Sequence, residues 1–194
     1  MNRKRSLDRY GRTEDGRVAI DVSVEGVEDL YDQFDRTVPF IKKDLNDEFA
    51  EHLVESVREI GQNAFVVRLS LDRLPDESLM DRVRRSMKNY FQYRTELEFR
   101  KMKKMLDTSI WLGTGGFLLL AADISLNRLF ADKAGVIGGV LLEGLTIAAW
   151  VALWEALANI LVSWGPHRRD IRLYRRLSDA EILFRETFGK ARPL

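Results

Sequence analysis

The spacing of hydrophobic positions changes several times along the chain, and each change marks a new element. Val18, Ile20, Val22 and Val24 alternate with Ala19, Asp21 and Ser23, the period of a half-buried strand over Arg17 to Val24. Phe65, Val67, Leu69 and Leu71 repeat that pattern and predict a second strand over Ala64 to Leu71. Between them, Leu45, Phe49, Leu53, Val57 and Ile60 recur at helical spacing. This helix starts on an acidic turn (Asp44, Asp47, Glu48) and stops at Gly61. A shorter helix is expected over Val27 to Phe34, with Pro39 separating the two. Pro75 opens a third helix with a stripe of Leu79, Val83, Met87, Tyr90 and Leu97. No breaker intervenes before Thr108, so the helix is expected to continue to Phe130 as a rod of roughly 80 Å at about 1.5 Å per residue. A bend at Asp107 or Gly113 is the alternative.

Beyond Lys104 the periodicity disappears into hydrophobicity on all sides. Thr108 to Phe130 carries no charge until Asp123, and Val136 to Trp164 carries only Glu143 and Glu155. Each stretch exceeds the roughly 20 residues that a bilayer requires, and neither has a polar face, which favours two transmembrane spans over two buried helices of a soluble bundle. Arg94, Arg100, Lys101, Lys103 and Lys104 precede the first span, and Arg168, Arg169, Arg172, Arg175 and Arg176 follow the second. The turn offers only Asp132 and Lys133, with Arg128 nearby. That asymmetry puts both termini in the cytoplasm. After Gly165 and Pro166, Arg168 to Leu177 is expected to form a short basic helix along the inner surface. Ser178 with Glu181 has capping-box spacing, whereas Ile182, Leu183 and Phe184 suit an edge strand, so residues 178–188 stay open between helix and strand. Two strands alone make a marginal sheet, which favours a third from the tail.

The expected fold is therefore that of a mainly α membrane protein. A disordered basic arm (1–16) precedes a small cytoplasmic α/β head of two or three strands, from which a long helix leads into the first span (17–107). A transmembrane hairpin follows (108–164, spans about 108–130 and 136–164), and then a cytoplasmic basic tail (165–194).

Composition alters this picture in two places. The chain is nearly neutral, with a formal net charge of +1, but Glu25 to Glu59 holds eleven carboxylates against four basic residues. An acidic head with a basic collar suits anionic lipid headgroups beside the spans, contacted by Lys101, Lys103, Lys104, Arg168, Arg169 and Arg172. The absence of cysteine excludes disulfides, thiolate metal sites and cysteine nucleophiles. With no cysteine and no second histidine near either, His52 and His167 read as solvated, so no metal and no cofactor is expected. Gly113 to Gly116 (G-T-G-G) lacks the lysine of a phosphate loop, and no catalytic motif occurs. The chain therefore reads as no enzyme. The basic and aromatic run Asn89 to Lys104 has the residues of a nucleic-acid surface, but its place beside a span points to lipid instead.

Three patches carry a resemblance. They are P-F-I-K-K-D-L-N-D-E-F-A (Pro39 to Ala50), N-Y-F-Q-Y-R (Asn89 to Arg94), and E-G-L-T-I-A-A-W-V-A-L-W (Glu143 to Trp154) continued by W-G-P-H-R-R-D-I-R-L-Y-R-R-L (Trp164 to Leu177). Over most of its length from Asp29 onward the chain resembles a family of largely uncharacterised bacterial two-pass membrane proteins. The resemblance implies the two-span architecture and the cytoplasmic membrane, and it implies no activity. Members carry a basic residue, a proline and an acid where Glu155, Ala156 and Ala158 stand here, so their intramembrane charge pattern is not carried over.

Asp123, Glu143 and Glu155 form the candidate intramembrane polar site, because a charged group at such depth costs at least a few kcal/mol and normally faces a partner or water. Asp123 and Glu143 each lie seven residues from the outer end of a span, roughly 10 Å deep, and are expected to be level in the hairpin. Glu155 is rotated by about 120° from Glu143, onto another face. The acids would either share a proton, hold a cation or line a pore, or else bond across helices as neutral groups that hold the bundle together. Gly144, Ala148, Ala152 and Ala156 form a packing stripe suited to a homo-oligomer or to the hairpin itself. Two functions follow from these features. One is an oligomeric scaffold that presents its head to a cytosolic or membrane protein partner, and the other is a small cation or proton channel.

Overall fold

The computed structural model describes residues 9–31, 44–130 and 135–187. Its elements run β1 (Gly11–Arg12), β2 (Val18–Val24), a 3-10 turn (Val27–Leu30), α1 (Asp47–Ile60), β3 (Phe65–Leu71), α2 (Glu77–Phe130), α3 (Val136–Ser178) and β4 (Glu181–Glu186). The chain divides into two compact units, one of Met1–Glu96 with Ile171–Leu194 and one of Leu97–Asp170. The tail is thus no separate segment, because Ile171 onward belongs to the head.

The head is a four-stranded sheet in the order β1-β2-β3-β4. β2 and β3 are parallel with Val18 opposite Phe65 and Val24 opposite Leu71, joined by α1. β3 and β4 are also parallel, with Val66 opposite Glu181. One face carries Val18, Ile20, Val67, Leu69, Leu71 and Ile182, which share a core with Leu53 and Val57 of α1, Met87 and Phe91 of α2, and Leu173 and Leu177 of α3. Phe91, Leu53 and Leu69 are fully buried. The other face combines the buried Ala19 and Val66 with polar side chains, and Arg68 and Asp21 pair across it at 3.3 Å. Asn46 caps α1 by accepting from the Phe49 amide at 3.2 Å, and Asp76 caps α2 by accepting from the Leu79 amide at 2.7 Å.

Several expectations for the head are corrected here. Within the stretch expected as a disordered arm, Gly11 and Arg12 pair antiparallel with Ala19 and Val18. A turn that needs positive φ at Gly16 (82°) brings them back, and residues 1–8 lie outside the described residues. The helix expected from Val27 shortens to one 3-10 turn, because Tyr31 is extended and bridges antiparallel to Leu45. Phe34 and Pro39 lie outside the described residues. The tail supplies a strand, and the sheet has four strands where two or three were expected.

Gly165 and Pro166 do not break the chain, and no separate basic surface helix follows them, since α3 runs unbroken from Val136 to Ser178. A proline normally clashes with the Cβ of the preceding residue in a helix, and Gly165 has none. Burial of Leu173, Tyr174 and Leu177 in the head core offsets the lost hydrogen bond. α2 likewise shows no break at Asp107 or Gly113.

In the second unit, the inner face of α2 carries Glu98, Met102, Met105, Ser109, Leu112, Gly116, Leu120 and Asp123, and that of α3 carries Leu142, Thr146, Ala149, Leu153, Ala156, Ile160, Ser163 and His167. Both series advance mostly in alternating steps of four and three, the spacing of a coiled-coil seam. The outer faces are apolar and exposed: Trp111 79%, Val136 89%, Ile137 80% and Trp154 68%. Each long helix contains an apolar window long enough to cross a membrane, and only 17% and 6% of those windows is buried. A core helix of a soluble protein would be mostly buried.

Candidate functional site

Asp123 is the polar centre of the helix pair. The seven-residue repeat of the α2 seam turns it towards α3, where it is 6% exposed. Thr146 Oγ1 lies 2.8 Å from Asp123 Oδ2 and 3.2 Å from the Leu142 carbonyl, so its hydroxyl links the carboxyl to the α3 backbone. Asn127, one turn along α2, donates its amide Nδ2 to Oδ1 at 3.1 Å. Both carboxyl oxygens therefore have partners.

Glu143 is not brought to Asp123. It points outward from α3, as does Glu155, and neither makes a hydrogen bond or ion pair among the described residues. The intramembrane site expected from the sequence thus separates into one buried acid inside the hairpin and two on the outer surface of α3. Asp132 and Lys133 of the connecting turn lie outside the described residues.

The small-residue stripe divides in the same way. Ala156 is buried and Ala152 half-buried, facing Gly113 and Gly116 of α2, while Gly144 and Ala148 lie on the exposed side. A Cβ built at Gly116 would stand 3.0 Å from Leu153 Cγ and 3.1 Å from both Ala152 Cβ and the Ala149 carbonyl. This is the tightest approach at any glycine in the pair, and it explains why Ala149 is fully buried.

A second polar cluster lies at the other end of the seam. Glu98, 9% exposed, accepts from Lys101 Nζ at 2.6 Å and faces His167 Nδ1 at 3.0 Å. His167 was expected to be solvated, but it is half-buried and bonded across the pair. Burial opposes ionisation of Glu98, yet the bonds from Lys101 and His167 outweigh it and hold its carboxyl below the usual range. Of the expected headgroup cations, Lys101 is thus committed to Glu98, and Arg168 lies over the Trp164 ring at 5.8 Å. Lys103, Lys104 and Arg169 are exposed, and Arg172, in the head unit, is exposed and engaged. No group of three or more His, Cys, Asp or Glu able to hold a metal ion occurs among the described residues.

The chain matches no family model, no characterised protein and no solved structure. Thr146, Asn127, Glu98 and His167 are the partners that sequence reasoning missed. Their signal was present in the four-and-three spacing of polar positions along the seams.

Proposed function

We propose that this chain is an integral protein of the bacterial cytoplasmic membrane, in which α2 and α3 form a two-span hairpin and the α/β head serves as an interaction scaffold on the cytoplasmic side. The observation that carries this reading is the outward apolar surface of the helix pair. Large side chains such as Trp111, Ile137 and Trp154 are exposed over lengths that match a bilayer, and a soluble protein would not leave such a surface to water. The basic residues at Lys103, Lys104 and Arg169 support the cytoplasmic placement of both termini. Adjacency of β3 and β4 in one sheet supports it independently, since the chain entering the first span and the chain leaving the second must then be on the same side.

Burial of Asp123 on Thr146 and Asn127 supports a structural role inside the hairpin over a pore-lining one. Glu143 and Glu155 on the outer face support association with further copies, because lipid disfavours an exposed carboxyl. The test is extraction and accessibility in native membranes. The protein should resist alkaline carbonate and float with vesicles. In this cysteine-free chain, a cysteine placed at Glu14 should react with an impermeant maleimide only from the cytoplasmic side, and one at Asp132 only from the outside. Release by carbonate would defeat the reading.

A further inference from the structure

Two opposite charges stand on the outward surface of the helix pair. Arg128 of α2 and Glu143 of α3 are both exposed, and neither makes a hydrogen bond or ion pair among the described residues. Their relative placement follows from the seam. Asp123 opposite Thr146 and Gly116 opposite Leu153 set the register of the two antiparallel helices, which brings Arg128 level with Leu141, two residues or about 3 Å along the axis from Glu143. Arg128 stands five residues after Asp123, a turn of about 140°, and Glu143 three residues before Thr146, a turn of about 60° in the same sense. On antiparallel helices, turns of one sense lead to one side of the pair. That side therefore carries a cation on one helix and an anion on the other at nearly one depth, among the exposed side chains of Phe117, Ile124, Ile147 and Trp154.

We propose that this side of the hairpin is the docking surface for a second copy of the chain, held by Arg128 of each copy on Glu143 of the other. The face is self-complementary. A two-fold axis along the membrane normal lays α2 of one copy over α3 of the other, as in a four-helix bundle, and it keeps every residue at its depth. An ion pair across such an axis needs partners at matching depth. Arg128 and Glu143 meet that condition, and the axis makes their contact twice. An unpaired ion facing lipid is costly, and the contact pairs both charges in a medium that screens little. An apolar partner helix would cover the aromatic and aliphatic side chains but leave both charges unmatched. Glu155, on the back of α3, takes no part. The assignment rests on the reading of α2 and α3 as membrane spans, and it names the residues through which the copies associate.

The test co-expresses two differently tagged full-length copies in one membrane and captures one tag from mild detergent. Wild-type copies should carry each other through. Arg128→Glu in both copies sets Glu against Glu twice, Glu143→Arg in both sets Arg against Arg, and each should lower capture about tenfold or more. Mixing Arg128→Glu copies with Glu143→Arg copies restores both pairs and should restore capture, which no pairing inside one hairpin would do. Cross-linking decides the matter even where Glu143→Arg fails to insert. An Arg128→Cys copy and a Glu143→Cys copy keep one ion pair and bring their two thiols together, so oxidation should join the tags. The yield should be several times that of Leu126→Cys with Leu141→Cys, at the same depth on the other side. Capture that ignores charge, or equal cross-linking on the two sides, would overturn the proposal. Carbonate extraction of the same membranes reads insertion separately: a retained protein without these effects defeats the dimer alone, and a released one defeats the spans and the dimer with them.

Discussion

Thr146 Oγ1 lies 2.8 Å from Asp123 Oδ2, which ties this buried carboxyl of α2 to the opposite helix. Thr146→Val keeps the shape and removes the hydroxyl. It should destabilise the pair by about 0.6 kcal/mol and by no more than about 1.7 kcal/mol, the average and the upper end for hydrogen bonds between apolar helices in a membrane-like solvent. Reversible unfolding in mixed micelles would measure this, with Thr114→Val on the exposed face of α2 as a control that changes little.

Gly116 makes a second, steric prediction. A Cβ there would stand only 3.1 Å from the Ala149 carbonyl and the Ala152 Cβ, so its absence is what lets the two helices approach this closely. Gly116→Val should force the helices apart and cost about 1–3 kcal/mol, as overpacking does. Gly144→Ala meets open space and should be neutral or mildly stabilising. Thermal melting of the two variants in one detergent would separate them.

Acid should loosen the opposite end of the same seam, at Glu98 and His167. The Glu98 carboxyl is held below its usual range in the folded protein, so the unfolded chain binds its proton first as pH falls. The stability it contributes is present at neutral pH, begins to fade near the ordinary glutamate value of about 4.3, and is lost as pH falls through the lower folded value. Glu98→Gln should flatten this acid limb, and melting temperatures between pH 7 and pH 3 would show it. Retention of the full acid limb by Glu98→Gln would assign it to other carboxylates.

Arg176 predicts a defect in the head. It donates to the carbonyl oxygens of Gly61 and, at 2.6 Å, Asn63, and it lies over the Phe65 ring at 5.0 Å. Gly61 has positive φ and ends α1, so the arginine fork holds the link from α1 to β3. Arg176→Met should cost about 1–3 kcal/mol by leaving two acceptors without their donor. Arg176→Lys should recover little, because an ammonium cannot span both carbonyls as the fork does. Hydrogen exchange of the Phe65 to Leu71 amides would report the loosening.

Strong local periodicity made β2, α1 and β3 legible, since the in-phase hydrophobics of each line the core, although Ala19 and Val66, out of phase in the strands, are buried as well. β1 was hidden because two residues carry no period, and their place is set by the turn at Gly16. β4 was ambiguous because Glu181 to Glu186 suits helix or strand, and pairing with β3 decides it. The Gly165–Pro166 break was a local inference that three buried side chains beyond it override.

Asp123 was legible as an oddity, but its partner was not. Where a helix is apolar all round, the contrast between its faces is lost. The stripe chosen at four-residue spacing drifts by about 40° per step, so it crosses from the outer face at Gly144 to the inner face at Ala156. The true seam keeps to the seven-residue repeat through Thr146, Ala149, Leu153 and Ala156.

Parallel pairing of β3 with β4 also fixes an order of events during synthesis. β3 emerges before either long helix, and its second edge stays open until α3 has been made and has come back to the head. A chain whose second helix fails to return would expose an unpaired row of backbone donors and acceptors along Phe65 to Leu71, the kind of edge that recruits other strands. Closure of the sheet by Glu181 to Glu186 is therefore a built-in report that both helices have reached their places, and truncation before Glu181 should mark the protein for aggregation or proteolysis.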